Sequence, residues 1–337
     1  MDIVYYCGRS DPWDPRDPSL GGAQQAVVQL CREWAKMGKT VLVYYTPKET
    51  RDVEEGVTYR HYTEFDVAQR FKTLILWRLY GTAPVVNTPL HAERILIDMH
   101  DNLPAHYLAI KKTLTVQECP VTLMLKSRYH KEQYLETVGN DDADTRIIMN
   151  GVNMSVFQTE QLEPRNPYRL CYCSDYRRGL VHILELLWPY IVQLEPRAEL
   201  HLYYGIKDQE YKPLFDKALL SSTGVCDHGR QSLEMIAREK HISNFNLYIT
   251  NTIAEIDCIS VRESLVAGCI PLLLDYGVFR ERDGIHFSTS ARVAEIATKI
   301  VELMRNMAAC DAYREKLKQS PTIVSWTEVA QKWLEKN

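Results

Sequence analysis

The sequence predicts an α/β protein with two doubly wound domains in tandem, and three observations indicate it. Short, continuous apolar runs alternate with amphipathic segments, a pattern typical of parallel strands covered on both faces by helices. This alternation pauses once, at a bridge rich in proline and polar residues over positions 157–169. The length of 337 residues also exceeds what one hydrophobic core usually supports, so two domains are expected.

The first half opens with a strand-like run at residues 3–6, and a helix follows over residues 21–38. Apolar residues recur in that helix at helical spacing, and Gly38 provides a stop signal. The segment at residues 70–81 mixes basic and apolar side chains; a buried strand is favoured, and a membrane-surface helix is the alternative. Apolar runs predict the remaining strands of this half: TVLVYY, TLILWRL, RILIDMH, VTLMLKS and RIIMN.

The second half repeats this alternation. Its predicted strands are LCYCS, ELHLYYG, FNLYIT and IPLLLDY. Its predicted helices are GLVHILELLWPYIVQL, a segment over residues 209–220, QSLEMIAREK, ARVAEIATKIVELMRNM and the last segment, SWTEVAQKWLEKN. Doubly wound sheets bind ligands at the carboxyl ends of their strands, so the expected site is a cleft between the two domains.

Composition argues against several classes of protein. A net charge of −4 and a pI near 6.2 give no global basic field, so nucleic acid is not an expected partner. Nine cysteines are too few for a disulfide scaffold and fit reduced thiols. Cys171 and Cys173 could be a metal pair, but they alternate along a predicted strand and are interpreted as packing residues. Neither a signal peptide nor an apolar stretch of transmembrane length is visible, so we expect a cytoplasmic protein with at most peripheral membrane association.

Two short segments could bind an anion. Gly21 and Gly22 open the first long helix, where free backbone N–H groups and the positive end of the helix dipole suit a phosphate or an anionic sugar group. These glycines follow the first strand too late for a dinucleotide fingerprint. Arg177 and Arg178 stand beside Gly179 at the start of another helix and form a plausible pyrophosphate clamp. The alternatives are a flexible loop for the glycines and solvated side chains for the arginines.

Three further residues carry candidate chemistry. His100 follows a predicted strand, where α/β sheets present functional side chains, although a histidine bonded into the core is the commoner outcome. Glu255 and Glu263 are separated by seven residues. On one continuous helix they would lie about 12 Å apart, so we place Glu255 on a loop and Glu263 in the first turns of the next helix. Glu263 could instead close a capping box with Ser260.

In their order along the chain, these signals resemble the retaining GT-B glycosyltransferases, in particular glycosyltransferase family 4, over nearly the whole chain. In that family a Gly-Gly loop opens the first long helix, and a histidine of the N-terminal domain lies by the transferred sugar. A basic residue and glycine precede the first helix of the second domain. The most specific mark is the pair of glutamates seven residues apart, followed here by AGCIPLL. The matching residues are Gly21, Gly22, His100, Arg178, Gly179, Glu255 and Glu263.

The resemblance implies residue roles. In the family the first glutamate contacts the donor sugar and the second holds the ribose hydroxyls. The chain departs from the family at Cys173, where an arginine is usual and Arg177 is the expected substitute. It also departs at residues 256–258, Ile-Asp-Cys, where Gly-Phe-Gly is usual. The implied catalytic residues are Glu255, His100 and Arg178. The implied donor-binding residues, three of them through backbone N–H groups between the glutamates, are Gly21, Gly22, Arg177, Arg178, Arg230, Asp257, Cys258, Ile259 and Glu263.

The implied fold is GT-B, with two Rossmann-like domains facing across a cleft. Residues 1–157 form the acceptor side, helix 324–337 crosses back onto it, and residues 158–323 bind the nucleotide sugar. The implied reaction moves a sugar, with retention, from a UDP- or GDP-sugar to a hydroxyl of a glycan, lipid or protein. No metal or other cofactor is expected. The alternatives are a catalytically silent nucleotide-sugar-binding protein and another Rossmann-type nucleotide-sugar enzyme, such as a dehydrogenase or an epimerase.

Overall fold

The computed structural model contains two sheets of mainly parallel strands, as the alternating pattern predicts. Contacts divide the described residues into two compact units. Unit 1 holds those within 1–151, 254–257 and 325–337, and unit 2 holds those within 152–253 and 258–324. The structure describes residues 1–49, 52–78, 85, 87–102, 104–139, 143–159, 163–206, 208–251 and 255–335.

Unit 1 has a sheet of eight strands among its described residues, in the order β3-β4-β2-β1-β5-β6-β7-β8. Neighbouring strands are parallel except β3 and β4. The strands are β1 (Ile3–Tyr6), β2 (Val41–Tyr45), β3 (Val53–Glu54), β4 (Val57–His61), β5 (Phe71–Trp77), β6 (Ala92–Asp98), β7 (Val121–Leu125) and β8 (Asp144–Ile147). The described helices are α1 (Gly22–Lys36), α2 (Pro104–Val116), α3 (Arg128–Val138) and the terminal α12 (Trp326–Leu334), with a 3-10 turn at Tyr62–Glu64.

Unit 2 has a sheet of six parallel strands among its described residues, in the order β11-β10-β9-β12-β13-β14. The strands are β9 (Asn166–Tyr172), β10 (Glu199–Leu202), β11 (Val225–Asp227), β12 (Ser243–Tyr248), β13 (Ile270–Leu274) and β14 (Ile285–Phe287). The helices are α4 (Met154–Phe157), α5 (Leu180–His182), α6 (Trp188–Leu194), α7 (Lys212–Leu220), α8 (Leu233–Ile242), α9 (Ile259–Val266), α10 (Val293–Met304) and α11 (Met307–Leu317), with a 3-10 turn at Gly277–Glu281.

The apolar runs form strands because their side chains are buried on both faces of the sheet. Every residue of β1 and of β2 is buried, and the segment predicted as a strand near residue 75 is β5. The membrane-surface helix considered for that segment is therefore wrong for Phe71–Trp77, and its residues 79–81 lie outside the described residues. Within the described residues, no helix combines the length and apolar character needed to cross a membrane.

The helix predicted over residues 179–194 contains a π-helical turn, Ile183–Leu187, between α5 and α6. Pro189 explains the irregularity, because proline has no N–H to donate to the carbonyl four residues back and its ring crowds that carbonyl. A π-helical turn widens the backbone at that place.

The division between the units differs from the predicted boundary at residue 157. Phe157 is fully buried in a cluster with Val152, Ala237 and Ala267, so α4 packs in unit 2. The predicted bridge also ends earlier than expected, since β9 begins at Asn166. The division falls at residue 151 because the residues that follow it bury their apolar side chains in unit 2.

Candidate active site

The carboxyl edge of the unit 2 sheet carries the predicted arginine loop. β9 pairs with β10 on one side and β12 on the other, so the chain changes direction across the sheet beside β9. The backbone N–H of Arg178 donates to the Asp175 carbonyl at 2.9 Å, and the Tyr172 hydroxyl donates to the Arg178 carbonyl at 3.3 Å. Gly179 adopts a left-handed φ of 90°, and a Cβ there would lie 2.8 Å from Oγ1 of Thr250, just beyond β12. The loop after β9 is therefore fixed against the loop after β12 at the sheet's switch point, where doubly wound sheets bind ligands.

The two arginines of this loop differ in their surroundings. The exposed guanidinium of Arg177 binds the Asp175 carboxylate through Nη2 at 2.7 Å and Nε at 3.1 Å. Burial alone would raise the pKa of Asp175, but its hydrogen bonds from Arg177 lower it below the usual value. Arg178 is half-buried. The structure therefore holds the Arg177 side chain against its own loop, where it is exposed, whereas Arg178 is less exposed.

Arg230 lies on the loop that follows β11, at the same edge of the sheet. Its guanidinium carbon lies 4.4 Å from the centre of the Tyr204 ring. Tyr204 in turn lies 6.3 Å from Tyr176 of the arginine loop, between ring centres. A Cβ on Gly205 would lie 3.1 Å from the backbone nitrogen of Arg230, so the loops after β10 and β11 approach closely. Three neighbouring loops thus bring arginine and tyrosine side chains to one edge.

Glu263 lies in α9 as predicted, but the capping box considered for it is wrong. Helix α9 begins at Ile259, so Ser260 lies inside it and cannot serve as its N-cap. The N-cap is Cys258, whose left-handed φ of 56° is unusual for a residue with a side chain. Glu263 instead accepts a hydrogen bond at 2.9 Å from the ammonium group of Lys240, on α8.

Lys240 is a buried residue that the sequence analysis missed, as it also missed Asp98 and Lys126. The Lys240 side chain is 0% exposed, and it also donates to the carbonyl and hydroxyl oxygens of Ser260 at 2.7 and 3.0 Å. Burial would lower the pKa of Lys240, but the neighbouring Glu263 carboxylate raises it above the usual value. The lysine therefore stays charged, fixing both the carboxylate and the first turn of α9. A lysine near the end of the amphipathic segment QSLEMIAREK was the available signal, because that position faces the sheet.

Glu255 and Asp257 stand on the loop before α9, as predicted for Glu255. Both side chains are buried, and the Asp257 carboxylate accepts the backbone N–H of Asn150 at 3.1 Å. These two residues group with unit 1, whereas Cys258, Ile259 and Glu263 group with unit 2. The predicted donor-binding residues thus come from both units.

Gly21 and Gly22 stand at the start of α1, as predicted. Gly21 is the N-cap, no side chain caps the helix, and its first turn contains no acidic residue. A Cβ on Gly21 would lie 2.9 Å from the side-chain oxygen of Gln24, so the absence of a side chain leaves the helix start compact. The N–H groups of this first turn meet the requirement for anion binding that the sequence suggested.

His100 follows β6 and is held by a buried network in unit 1. Its Nε2 lies 2.8 Å from Oδ2 of Asp98, and that carboxylate also accepts hydrogen bonds from Tyr5 and Lys126. Burial is the largest influence on His100 and lowers its pKa below the usual value, against the opposing effect of Asp98. Burial would raise the pKa of Asp98, but His100 and Lys126 hold it well below its usual range. The ring has the hydrogen bond and the burial of a core histidine, and its proposed catalytic role rests on its place at the strand end.

Cys171 belongs to the core of unit 2, together with Cys269. The sulfur atoms of Cys171 and Cys269 are 3.9 Å apart, and both residues are fully buried. Across the part of the chain that the structure describes, no group of three or more histidine, cysteine or acidic residues is arranged to hold a metal ion. The packing interpretation of Cys171 is consistent with this burial, and metal independence stays a prediction.

Solved structures of known proteins resemble the whole chain. Sucrose-phosphate synthase from Thermosynechococcus elongatus is 14% identical, with a TM-score of 0.70, over 99% of this chain and 97% of that one. HepE from Anabaena, in complex with UDP-glucose, is 11% identical with a TM-score of 0.74 over 98% of each chain. WaaG, a glycosyltransferase involved in lipopolysaccharide biosynthesis, is 13% identical with a TM-score of 0.67 over 98% of each chain. No family model matches the sequence, and no curated protein matches it.

At these identities the likeness concerns the fold. Both parallel-sheet units are matched together, since the alignments cover nearly every residue of this chain and of its neighbours. The predicted fold class, an α/β chain with two Rossmann-like units of the GT-B type, is therefore confirmed.

Proposed function

We propose that this protein is a glycosyltransferase that moves a sugar from a nucleotide diphospho-sugar to an acceptor hydroxyl. The observation that carries the proposal is the carboxyl edge of the unit 2 sheet, where Arg178 lies on the loop after β9, at the switch point, and Arg230 lies on the loop after β11. Guanidinium groups grip phosphate oxygens bidentately and keep their charge at any relevant pH. The fold supports the same proposal, because the similar structures include named glycosyltransferases and one in complex with UDP-glucose.

The chemical requirement is stabilisation of charge. As the bond between the sugar and the diphosphate breaks, the sugar becomes cationic and the diphosphate gains negative charge. Fixed positive groups aimed at the diphosphate lower that barrier without having to reorganise. We assign this role to Arg178, with Arg230, the backbone N–H groups of residues 257–259 before α9, and the helix start at Gly21 and Gly22. Arg177, bound to its own loop, is assigned only a supporting part.

The remaining predicted residues receive roles that follow from their placement. Glu263 holds the ribose hydroxyls, since an ionised carboxylate bound to one lysine keeps further lone pairs for accepting hydroxyl protons. Glu255 contacts the donor sugar, and His100 contacts the transferred sugar from unit 1. In this proposal unit 2 supplies most of the donor site, and unit 1 adds Gly21, Gly22, Glu255 and Asp257 to it and carries the acceptor.

The finer assignment follows the resemblance to glycosyltransferase family 4. We propose transfer with retention, a UDP- or GDP-sugar as donor, and a glycan, lipid or protein hydroxyl as acceptor. The guanidinium groups take the place of a metal ion, so the reaction is independent of added metal. The proposed location is the cytoplasm, with peripheral membrane association if the acceptor is a lipid.

Release of UDP or GDP from a panel of sugar nucleotides, with and without EDTA, tests the proposal. We expect release from at least one donor, unchanged by EDTA. The Arg178→Ala variant should lower turnover by about 10²–10³-fold, as removal of one transition-state donor typically does. Arg177→Ala is the matched control, and it should retain most of the activity because Asp175 already occupies that guanidinium.

Four outcomes would contradict the proposal or one of its parts. Intact nucleotide binding without release from any donor would identify a catalytically silent binding protein. Binding of the protein to immobilised NAD would point to a dehydrogenase or an epimerase. Equal, small losses in Arg178→Ala and Arg177→Ala would remove Arg178 from the catalytic assignment, and loss of release in EDTA would remove metal independence.

A further inference from the structure

The buried network around Asp98 has a composition that constrains the protonation of His100. Asp98 is 0% exposed, and three donors converge on it: Tyr5 and His100 on Oδ2, and Lys126 on Oδ1. The Lys126 side chain is 1% exposed, and its ammonium group lies 5.3 Å from the centre of the Trp333 ring in α12. The carboxylate and the ammonium therefore balance each other's charge in a buried place.

We infer that Asp98 and Lys126 are positioning residues that hold His100 as a neutral imidazole with its proton on Nε2. An ionised carboxylate can only accept hydrogen bonds, so the ring nitrogen facing Asp98 must carry a hydrogen. In a neutral ring the other nitrogen, Nδ1, is then an acceptor. Under the proposed function, on which this inference rests, Nδ1 accepts a hydrogen bond from a sugar hydroxyl.

Lys126 decides the charge of the ring, because Asp98 alone would favour a protonated histidine. A histidine beside a single buried carboxylate gains a proton readily, since the imidazolium would neutralise that carboxylate. Here the lysine already neutralises it, so a second cation would leave a net positive charge in a buried site. The pKa directions agree, since Asp98 raises and Lys126 lowers the pKa of His100, and burial lowers it further.

The other titratable or charged groups near the ring do not reverse this balance. Arg78, after β5, also lowers the pKa of His100, and it forms an ion pair with Asp101. His130, on α3, has a pKa lowered to about 3 by burial and by Lys126, so it is neutral near pH 7. Burial raises the pKa of Cys7, after β1, well above its usual value, so this thiol is also uncharged.

Side-chain nitrogen NMR of the 337-residue chain tests the inference without any assumption about activity. The protein is labelled with ¹⁵N-histidine, and the His100 signal is identified by its loss in His100→Gln. We expect a ring that is neutral at pH 7, with the hydrogen on Nε2 and a titration midpoint below the ordinary histidine value. A proton on Nδ1, or a titration midpoint near the ordinary histidine value, would overturn the inference in the unmodified protein.

Two variants and one control separate the role of Lys126 from general damage to the fold. In Lys126→Met the His100 midpoint should rise by at least one pH unit, because Asp98 loses its cation. In the double variant Asp98→Asn with Lys126→Met the ring should stay neutral, and this uncharged pair also guards against a single variant that fails to fold. Lys332→Met, at an exposed position of α12, should leave the His100 signal unchanged. An unchanged midpoint in a folded Lys126→Met would overturn the inference.

The kinetic readout is the acid limb of the pH profile of kcat/KM. In Lys126→Met this limb should move to higher pH by the same shift that NMR measures. If no sugar transfer is found but Nε2 carries the hydrogen, the proposed function fails while the assignment of the ring stands. If transfer is found and the hydrogen is on Nδ1, the proposed function stands and the assignment of the ring fails.

Discussion

Each unit buries a lysine against a carboxylate, but a carboxylate is the centre of one hydrogen-bonded group and a lysine is the centre of the other. In unit 1 the carboxylate of Asp98 is the centre, and a lysine, a tyrosine and a histidine donate to it. In unit 2 the lysine is the centre: Lys240 donates to Glu263 and to two oxygen atoms of Ser260. A central anion sets the protonation of a neighbouring ring, whereas a central cation fixes a carboxylate and the backbone that carries it.

The comparison also shows why such pairs are poor evidence for stability. Transferring two charges out of water costs about as much as their attraction returns, but removing one partner leaves a buried charge without its counterion. The pairs therefore fix the positions of His100 and Glu263, and their energetic importance appears when they are broken.

The largest effect is expected when the pair in unit 2 is broken. Lys240→Met should lower the free energy of unfolding by about 3–5 kcal/mol, because Glu263 remains without a cation in a nearly buried place. Urea unfolding followed by Trp188 fluorescence measures this, since Trp188 is the one of the six tryptophans that lies in unit 2. The other tryptophans are replaced by phenylalanine or their signal is subtracted.

A neutral replacement sharpens the result. Lys240→Met combined with Glu263→Gln should recover most of the loss, and Lys299→Met, at an exposed position of α10, should change little. If the double variant is as unstable as the single one, the lysine contributes mainly through Ser260 and packing rather than through charge.

A smaller loss in the free energy of unfolding is expected at acid pH, mainly in unit 1. The pKa of His130 is lowered from 6.5 to about 3, mainly by burial. Below pH 6.5 the unfolded chain binds a proton at this residue that the folded chain does not bind, so stability falls as the pH falls toward 3. The loss is about 1.4 kcal/mol per pH unit for one proton.

His130→Gln should flatten this dependence, measured as the urea midpoint between pH 7 and 4.5 with unit 1 fluorescence. His241→Gln is the comparison in unit 2, where the histidine is only partly buried and its pKa is also lowered by that burial. An acid dependence of unit 1 that is the same with and without His130 would show that other groups cause it.

The smallest loss of stability is expected from replacing a glycine that has a positive φ. Two such glycines allow the cost of backbone strain to be compared with the cost of a close contact. Gly38, in unit 1, and Gly179, in unit 2, have φ values of 77° and 90°, so alanine costs about 1–2 kcal/mol at either. A Cβ on Gly38 meets nothing within 4 Å, whereas one on Gly179 meets Thr250 at 2.8 Å. Gly179→Ala should therefore cost more, and it should also weaken UDP or GDP binding in calorimetry. Equal costs and unchanged binding would show that the loop beside Arg178 is free to shift.

The fold could be predicted from sequence because its signals are local. Apolar runs, helical spacing and glycine stops mark most elements, and Gly22 and Gly38 lie where α1 begins and where it has ended. The loop position of Glu255 and the helical position of Glu263 followed from spacing alone. The π-helical turn could not be predicted from the sequence, because Pro189 was compatible with either a break in the helix or a widened turn.

The partners within the site could not be predicted, because they come from distant parts of the chain. Lys240 reaches Glu263 from the preceding helix, while Ser260 offered a local capping box that the observed start of α9 rules out. Lys126 contacts Asp98 from the residue just after β7. Sequence spacing reveals which side chains share a helix face, but not which buried charge another element supplies.

The terminal helix α12 belongs to unit 1 but is synthesised after unit 2. Trp34, on α1, donates to the Ala330 carbonyl at 2.9 Å, and Trp333 covers the ammonium group of Lys126. On the ribosome, residue 333 emerges only after all of unit 2 has been made. Until that point unit 1 lacks α12, so Trp34 lacks its acceptor at Ala330 and Lys126 lacks its contact with Trp333. A fragment that stops at residue 151 would keep the strands of unit 1 and lose the cover of its histidine network.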